Sequence, residues 1–277
     1  MSRLFVFGLG FAAGHLAARL AGEGWSVAGT TRDGRGDTLR FDDGDAVFAE
    51  LAAATHVVSS VPPDDDGTDP VLTAYGTALD RPWLGYLSST GVYGDAGGAW
   101  VDETAPTGTG RRTARSAADA AWLARGARVF RLPGIYGPGR SPLDRVRQGR
   151  AHRVAAPNLF SRIHVEDLVA GVVAGFDAPA GAYNLADDHP CSQNAVIEHA
   201  AMLMGIEPPA MIALEDLAPM ARGFYAEDRR IANGKAKRVL RWTPRYADYR
   251  AGLRALNAIT SPTPASADPA AASVDQR

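Results

Sequence analysis

Short apolar runs alternate with alanine-rich segments over the first 135 residues of the chain. The apolar runs predict six strands, at residues 3–8, 25–30, 38–41, 55–60, 83–88 and 128–132. Apolar residues at helical spacing predict helices at 12–21 and 113–124. Because strands that alternate with helices form parallel sheets with right-handed crossovers, the pattern predicts an α/β fold.

The pattern changes near residue 136, where glycine, proline and arginine become frequent. Helices are predicted at 142–149, 165–176 and 192–204, with a short strand at 183–185. Residues 261–277 are small, polar and rich in proline, which is typical of a flexible tail. We therefore divide the chain into a core (1–135), a smaller portion interleaved with it (136–260) and a tail (261–277).

A glycine pattern follows the first predicted strand. Gly8-Leu-Gly10-Phe11-Ala-Ala13 fits G-x-G-x-x-G/A, and it lies between a strand and a helix as a phosphate-binding turn requires. The alternatives are a signal peptide and a glycine-rich turn of an unrelated α/β protein. The strand-turn-helix context favours a dinucleotide site. The fold class is then a Rossmann-type doubly wound parallel sheet with a small C-terminal substrate-binding portion.

The end of the second strand bears on the choice of nicotinamide cofactor. It reads Thr30-Thr31-Arg32-Asp33, where two hydroxyls and a guanidinium suit the 2′-phosphate of NADP. In the alternative, Arg32 is solvated and Asp33 binds the ribose of NAD. We predict NADP, with NAD as the alternative.

Composition narrows the partners. Hydrophobic residues make up 46% and charged residues 22%, with a formal net charge of −2, so neither nucleic acid nor an anionic membrane is favoured. The single cysteine, Cys191, excludes an internal disulfide and fits a reducing cytoplasm. The sequence thus predicts a cytoplasmic protein with a small-molecule substrate. Whether it forms a homodimer is left open.

Three further motifs occur in order along the chain. They are Leu87-Ser-Ser-Thr-Gly-Val-Tyr-Gly94, Arg131-Leu-Pro-Gly-Ile-Tyr-Gly-Pro-Gly139 and Arg162-Ile-His-Val-Glu-Asp167. With the glycine turn, they resemble the extended short-chain dehydrogenase/reductases, the NAD-dependent epimerase/dehydratase family. Thr-Thr-Arg and Asn233-x-Lys235 are similar to the atypical YeeZ-like branch.

The resemblance implies roles for particular residues. Ser89 matches the catalytic serine or threonine, while Tyr93, Arg162 and His164 would face the substrate. Asp42 would approach the adenine. The residues implied to line the rest of the cofactor are Ser59, Ser60, Val61 and Pro62 after the fourth strand, and Ser88 and Pro133 to Tyr136 beside the nicotinamide.

The sequence departs from the family at its proton relay. The family places Tyr-x-x-x-Lys about 25 residues after the serine, where the lysine lowers the tyrosine pKa. Residues 111–121 contain neither residue type, and no Tyr-x-x-x-Lys occurs in the chain. Arg111, Arg112 and Arg115 stand there instead, either to bind an anionic substrate or as a solvated helix start. His164 is either the acid/base or a hydrogen-bonded structural histidine.

Two hypotheses of different class remain. One is an NAD(P)-dependent oxidoreductase or epimerase acting on a polar substrate, of which a nucleotide sugar is one candidate, through Ser89 and a second group. The other is a catalytically silent NAD(P)-binding sensor or regulatory protein. We predict no metal site, since Asp64-Asp65-Asp66 has the character of a solvated loop, and an inert Cys191.

Overall fold

A computed structural model of the chain describes residues 2–80, 83–110 and 113–260. The predicted tail (261–277) and two of the arginines singled out above, Arg111 and Arg112, lie outside the described residues.

The strands of the described part are β1 (Arg3–Phe7), β2 (Ser26–Thr31), β3 (Leu39–Arg40), β4 (His56–Ser59), β5 (Trp83–Ser89), β6 (Trp100–Val101), β7 (Arg128–Leu132), β8 (Gly134–Tyr136), β9 (Arg153–Val154), β10 (Arg162–His164), β11 (Gly181–Asn184), β12 (Met211–Ile212) and β13 (Arg230–Ile231). The α-helices are α1 (Phe11–Gly22), α2 (Gly44–Ala53), α3 (Pro70–Tyr75), α4 (Thr113–Ala124), α5 (Pro142–Arg147), α6 (Val165–Ala174), α7 (Gln193–Leu203), α8 (Pro219–Arg222), α9 (Gly234–Val239) and α10 (Tyr249–Thr260).

Seven parallel strands form the main sheet, in the order β11-β7-β5-β4-β1-β2-β3. The six strands predicted from the first 135 residues all belong to it, which confirms the predicted fold class. The strand order reverses between β1 and β4, and in open α/β sheets ligands bind at such a switch point. The seventh strand, β11, was predicted only as an isolated element at 183–185.

Alternating side chains of β1 supply the two faces of the sheet, because successive residues of a strand point to opposite sides. Leu4 and Val6 belong to the apolar cluster that contains buried residues of α1 and α6. Phe5 and Phe7 belong to the cluster that contains residues of α2, α3 and α4. Helices therefore cover both faces, as a fully buried parallel sheet requires.

The residues after 135 contribute to both parts of the molecule. β11 extends the main sheet, whereas β8 pairs with β10 outside it. Residues of α5, α7 and α10 form a third apolar cluster around Tyr136. β11 brings one strand of the later residues into the main sheet, and the division of the chain into a core, an interleaved portion and a tail stays a prediction. Among the helices described, none has the length and apolar character needed to cross a bilayer.

Candidate cofactor and substrate site

The turn between β1 and α1 has the geometry of a phosphate cradle. Gly8 has a φ of +80°, a conformation that favours glycine, and its carbonyl accepts the Gly10 N–H at 2.7 Å. Gly10 precedes the helix and provides no side-chain cap, so the first N–H groups of α1 are left for a ligand. A Cβ built on Gly10 would meet only the Gly8 carbonyl, at 4.0 Å, so the space in front of the turn is open. Ala13 is fully buried and lets α1 pack closely on the sheet.

The segment after β4 packs against this turn. A Cβ on Gly8 would lie 3.0 Å from Val61 Cγ2, and the Ser60 hydroxyl donates to the Gly8 carbonyl. Ser59 is fully buried, and its Oγ accepts the Val61 N–H at 3.4 Å. The structure thus brings together the predicted residues at 8–13 and 59–62, at the switch point of the sheet.

The end of β2 differs in one respect from the expectation. The Thr31 hydroxyl bonds to Thr38 Oγ1 at 2.7 Å and accepts the Arg35 N–H at 3.1 Å, and Thr31 is buried. Its hydroxyl therefore stabilises the turn, and a role for Thr31 in binding the 2′-phosphate stays a prediction. Arg32 is exposed beside it. The role of Arg32 as a phosphate ligand stays a prediction.

Asp42 lies just beyond β3. Its carboxylate accepts two bonds from Arg40, at 3.0 Å to Nε and 2.9 Å to Nη2. The Arg40 hydrogen bond lowers the pKa of Asp42, so the carboxylate is ionised at neutral pH. This carboxylate thus already has a cationic partner in Arg40. The adenine contact implied for Asp42 stays a prediction.

A cleft of about 820 Å³ opens where β5 and β7 end. Its lining includes Ser89, Arg162 and the whole predicted run from Pro133 to Tyr136. The Ser89 Oγ accepts the Gly91 N–H at 3.1 Å, and no described residue accepts its hydrogen, which can therefore be donated into the cleft. Arg140, also in the lining, lies with its guanidinium over the Phe11 ring at 5.4 Å, where the cleft meets the phosphate cradle.

The cleft is strongly cationic. Its lining contains Arg140, Arg145, Arg150, Arg162 and Arg229, against the carboxylates of Asp144 and Glu227. Asp144 is engaged by the cap of α5 and by Arg147 at 3.2 Å, and Glu227 pairs with Arg229 at 2.8 Å. The remaining positive charge suits an anionic ligand.

Two residues expected beside the ligands, Ser88 and Tyr93, belong to a buried network instead. The Ser88 hydroxyl donates to Asp119 at 2.7 Å, and Asp119 is bound by Arg131 at 2.8 and 3.1 Å. Arg131 also donates to the Tyr93 hydroxyl at 3.0 Å, which in turn donates to Asn184 at 2.7 Å. Burial raises the Tyr93 pKa to about 12, so the phenol stays neutral. The side chains of Ser88 and Tyr93 hold β5, β7, α4 and β11 together, and their contacts with the nicotinamide and the substrate stay predictions.

His164 is the N-cap of α6. Its Nδ1 accepts the Glu166 N–H at 3.2 Å, and only 1% of the residue is exposed. Burial lowers the His164 pKa to about 4, so the ring is neutral at neutral pH. His164 does not line the cleft. These observations favour the structural alternative for His164, and its acid/base role and its contact with the substrate stay predictions.

The tyrosine and lysine of the family's proton relay would lie on α4, which contains neither. Arg115, in the first turn, donates to the buried Tyr86 hydroxyl at 2.9 Å, which is a structural contact. The anionic-substrate alternative for Arg115 is therefore not favoured. The sequence analysis missed the Glu227–Arg229 pair, because the pair belongs to no motif and lies more than a hundred residues from Ser89 along the chain. Arg229 donates to the Gly94 carbonyl at 2.7 Å, at the far end of the short 3₁₀ turn that Ser89 caps.

Cys191 has a basic neighbour that the local sequence did not indicate, since Arg162 Nη1 lies 3.1 Å from its Sγ. Burial nevertheless raises the Cys191 pKa to about 11, which agrees with an inert thiol. The Asp64–Asp66 segment forms a turn in which Asp66 accepts the Thr68 N–H at 2.9 Å. Across the described residues, no group of three or more His, Cys, Asp or Glu side chains is placed to hold a metal ion.

Solved structures share this architecture. A dTDP-glucose 4,6-dehydratase from Bacillus anthracis in complex with NAD has a TM-score of 0.75 and 16% identity, over 93% of this chain and 96% of that one. A Thermus thermophilus UDP-glucose 4-epimerase complex with NAD has a TM-score of 0.74 and 19% identity, over 92% and 97%. The human epimerase family protein SDR39U1 with NADPH has a TM-score of 0.73 and 15% identity, over 92% and 99%. The chain thus has the Rossmann-like fold of these proteins.

A more similar structure is that of a functionally unknown conserved protein from Silicibacter pomeroyi. It is 38% identical with a TM-score of 0.81, and the match covers 94% of this chain and 100% of that one. The chain belongs to the family of that protein. No family model matches the chain, and neither does any curated protein.

Proposed function

We propose that the protein is an NAD(P)-dependent oxidoreductase or epimerase of the atypical, YeeZ-like type, acting on a polar substrate. The observation that carries the proposal is the position of Ser89. Its hydroxyl borders a cationic cleft at the carboxyl ends of β5 and β7, and this cleft meets the phosphate cradle at Arg140 and Phe11. A nucleotide sugar is one candidate substrate, because the neighbours of this fold include epimerases and dehydratases of such sugars.

The residues present fit a nicotinamide dinucleotide. The open face of Gly10 and the uncapped N-terminus of α1 would take the pyrophosphate, and Ser60 keeps the cradle in shape through the Gly8 carbonyl. Arg32 would pair with a 2′-phosphate, which favours NADP over NAD. Neighbouring structures hold either NAD or NADPH.

When bound, the nicotinamide supplies hydride transfer. The chain's own contribution at that point is the Ser89 hydroxyl, whose Oγ is fixed by the Gly91 N–H so that its hydrogen can be donated to a substrate oxygen. Glu227, in the same cleft, is a carboxylate able to accept a proton, and Arg229 holds it in place at 2.8 Å.

A second candidate, a silent NAD(P)-binding sensor, is favoured by one observation. α4 has neither the tyrosine nor the lysine of the standard relay, and Arg115 is engaged by Tyr86. In that case the cradle binds cofactor and the cleft performs no chemistry.

Calorimetry with NADPH and NADH tests the cofactor half of the proposal. NADPH should bind more tightly, and Arg32→Ala should remove the preference with NADH affinity nearly unchanged. Arg147→Gln, on an exposed part of α5, is the matched control. Equal affinities for the two cofactors in the native protein would contradict the NADP assignment, and no binding of either would contradict the whole proposal.

Turnover of a panel of sugar nucleotides and carbonyl compounds tests the enzymatic half. Ser89→Ala should lower turnover by about a hundredfold to a thousandfold, as expected for one well-placed donor, with NADPH affinity unchanged. Cofactor binding without turnover of any panel member supports the sensor. Equal turnover by Ser89→Ala and the native protein would refute the role of Ser89.

A further inference from the structure

Arg140 ends a tight turn that fixes its backbone. Its N–H donates to the Gly137 carbonyl at 3.0 Å, and the Gly137 N–H donates to the Arg140 carbonyl at 3.1 Å. Pro138 and Gly139 are the two central residues, and Gly139 has a φ of +73°, which a type II turn requires of its third residue. The next residue, Ser141, is the N-cap of α5 and forms a complete capping box. The chain therefore holds Arg140 from both sides.

This turn packs directly on the start of α1. A Cβ built on Gly137 would lie 2.5 Å from Val165 Cγ1 and 3.4 Å from Phe11 Cζ, so glycine allows the turn to come this close. Phe11 is the first residue of α1, and its N–H is one of those that the phosphate cradle leaves for a ligand. The Arg140 guanidinium lies 5.4 Å from the centre of the Phe11 ring. The turn thus places a cation beside the phosphate cradle.

The charge of Arg140 has no counterion within the described part of the chain. The two carboxylates of the cleft lining are engaged elsewhere, since Asp144 caps α5 and Glu227 pairs with Arg229 at 2.8 Å. The first turn of α1 contains no acidic residue either. An aromatic ring attracts a cation only weakly at an exposed site, and it occupies one face of the guanidinium. The contact with Phe11 therefore leaves the N–H groups of Arg140 for a ligand.

The cradle and Arg140 complement each other towards an anion. The N-terminus of α1 offers N–H donors and the positive end of the helix dipole, but its first turn carries no charged side chain. A dinucleotide pyrophosphate carries two negative charges, and a guanidinium forms strong, often paired, hydrogen bonds with phosphate oxygens. A phosphate group at the start of α1 is within reach of an arginine that already contacts the first side chain of this helix.

We infer that Arg140 binds the cofactor pyrophosphate together with the N–H groups of α1, so that one residue of the C-terminal portion completes the phosphate cradle. The inference rests on the proposed function, because it needs a dinucleotide in the cradle. It is independent of the choice between NAD and NADP, since both carry the same pyrophosphate. Arg32, by contrast, is proposed to contact only the 2′-phosphate, which NAD lacks.

Three ligands that share the pyrophosphate test the inference: NADPH, NADH and ADP-ribose, each titrated calorimetrically into the protein. ADP-ribose lacks both the nicotinamide and the 2′-phosphate. Arg140→Gln should weaken the binding of all three by a similar factor, about tenfold to a hundredfold, the range for a hydrogen bond to a charged group. Arg32→Ala should weaken NADPH alone. Unchanged affinity of Arg140→Gln for NADH and ADP-ribose would overturn the inference, as would a loss confined to NADPH.

Further variants separate a phosphate contact from a packing effect. Arg140→Lys keeps the charge beside the cradle, so it should lose less affinity for ADP-ribose than Arg140→Gln does. Arg147→Gln, exposed on α5 and outside the cleft lining, should bind all three ligands as the native protein does. Equal losses in Arg140→Lys and Arg140→Gln would refute the inference, and so would the same loss in Arg147→Gln.

Thermal unfolding without ligand provides a second readout. Arg140 is exposed, so Arg140→Gln should unfold at the midpoint of the native protein. A lowered midpoint together with weaker binding would assign Arg140 to the stability of the turn and overturn the phosphate contact.

These outcomes are separable from those of the proposed function. A native protein that binds none of the three ligands refutes the cofactor proposal and this inference together. Binding by the native protein that Arg140→Gln retains in full refutes only the role of Arg140 and leaves the dinucleotide assignment intact.

Discussion

Removing the Asp119 carboxylate should destabilise the protein by about 3–5 kcal/mol, the cost of breaking a buried ion pair from one side. Arg131 and Asp119 have side-chain exposures of 4% and 2%, and the pair joins β7 to α4 through two bonds of 2.8 and 3.1 Å. Asp119→Ala leaves the guanidinium buried without a carboxylate. It also leaves the Ser88 hydroxyl without the acceptor now 2.7 Å away.

Urea unfolding followed by both circular dichroism and tryptophan fluorescence measures the loss, and coincident transitions establish that one free energy of unfolding applies. Arg147→Ala is the control, because its pair with Asp144 is 44% exposed on the arginine side and should contribute no more than about 1 kcal/mol. The double variant Asp119→Leu with Arg131→Met should regain most of the stability, since it leaves no unpaired charge. A loss below about 1 kcal/mol for Asp119→Ala would refute the reasoning.

Three further predictions concern the cradle, a helix contact and pH. Gly10→Val should abolish NADPH binding with unchanged far-UV circular dichroism, because the side chain enters the open space in front of the turn; unchanged affinity would contradict this. Gly252→Ala should destabilise by about 1–3 kcal/mol, because its Cβ would collide with the Tyr136 ring and hydroxyl, whereas Gly14→Ala, in open space on α1, should not lower the midpoint of thermal unfolding. The His164 pKa is lowered to about 4 from 6.5. The contribution of His164 to the free energy of unfolding is therefore complete above pH 6.5 and is lost as the pH falls towards 4. His164→Asn should flatten that part of the pH profile of stability by at most about 3 kcal/mol, and parallel profiles would contradict the assignment.

The strands and the cradle were predictable because their signals are local. Buried parallel strands are nearly continuous apolar runs, and the G-x-G-x-x-A spacing fixes the turn and the start of α1 within six residues. β11 gave a weaker signal: Gly-Ala-Tyr-Asn is four residues long, and nothing local indicates that it extends the main sheet beside β7. Its place depends on pairing across about fifty residues, which no periodicity encodes.

The bonds of the site side chains could not be predicted from the motifs. A motif places a residue on the backbone, but the bonds of its side chain depend on residues far away along the chain. Tyr93 donates to Asn184, 91 residues later, and accepts from Arg131, 38 residues later. Thr31 is engaged by residues of its own turn. Each of these side chains is bonded to protein groups.

α4 contains neither a tyrosine nor a lysine and is anchored to the sheet by other side chains. Asp119 ties it to Arg131 and Ser88, and Trp122 donates to Asp69 at 2.8 Å. These contacts keep the end of β5 in position, so Ser89 can retain its place without a relay beside it. Both carboxylates of the cleft lining come from the C-terminal portion: Asp144 caps α5, and Glu227 pairs with Arg229 at 2.8 Å. The N-terminal half supplies the phosphate cradle and Ser89, and the C-terminal half supplies the arginines that line the cleft.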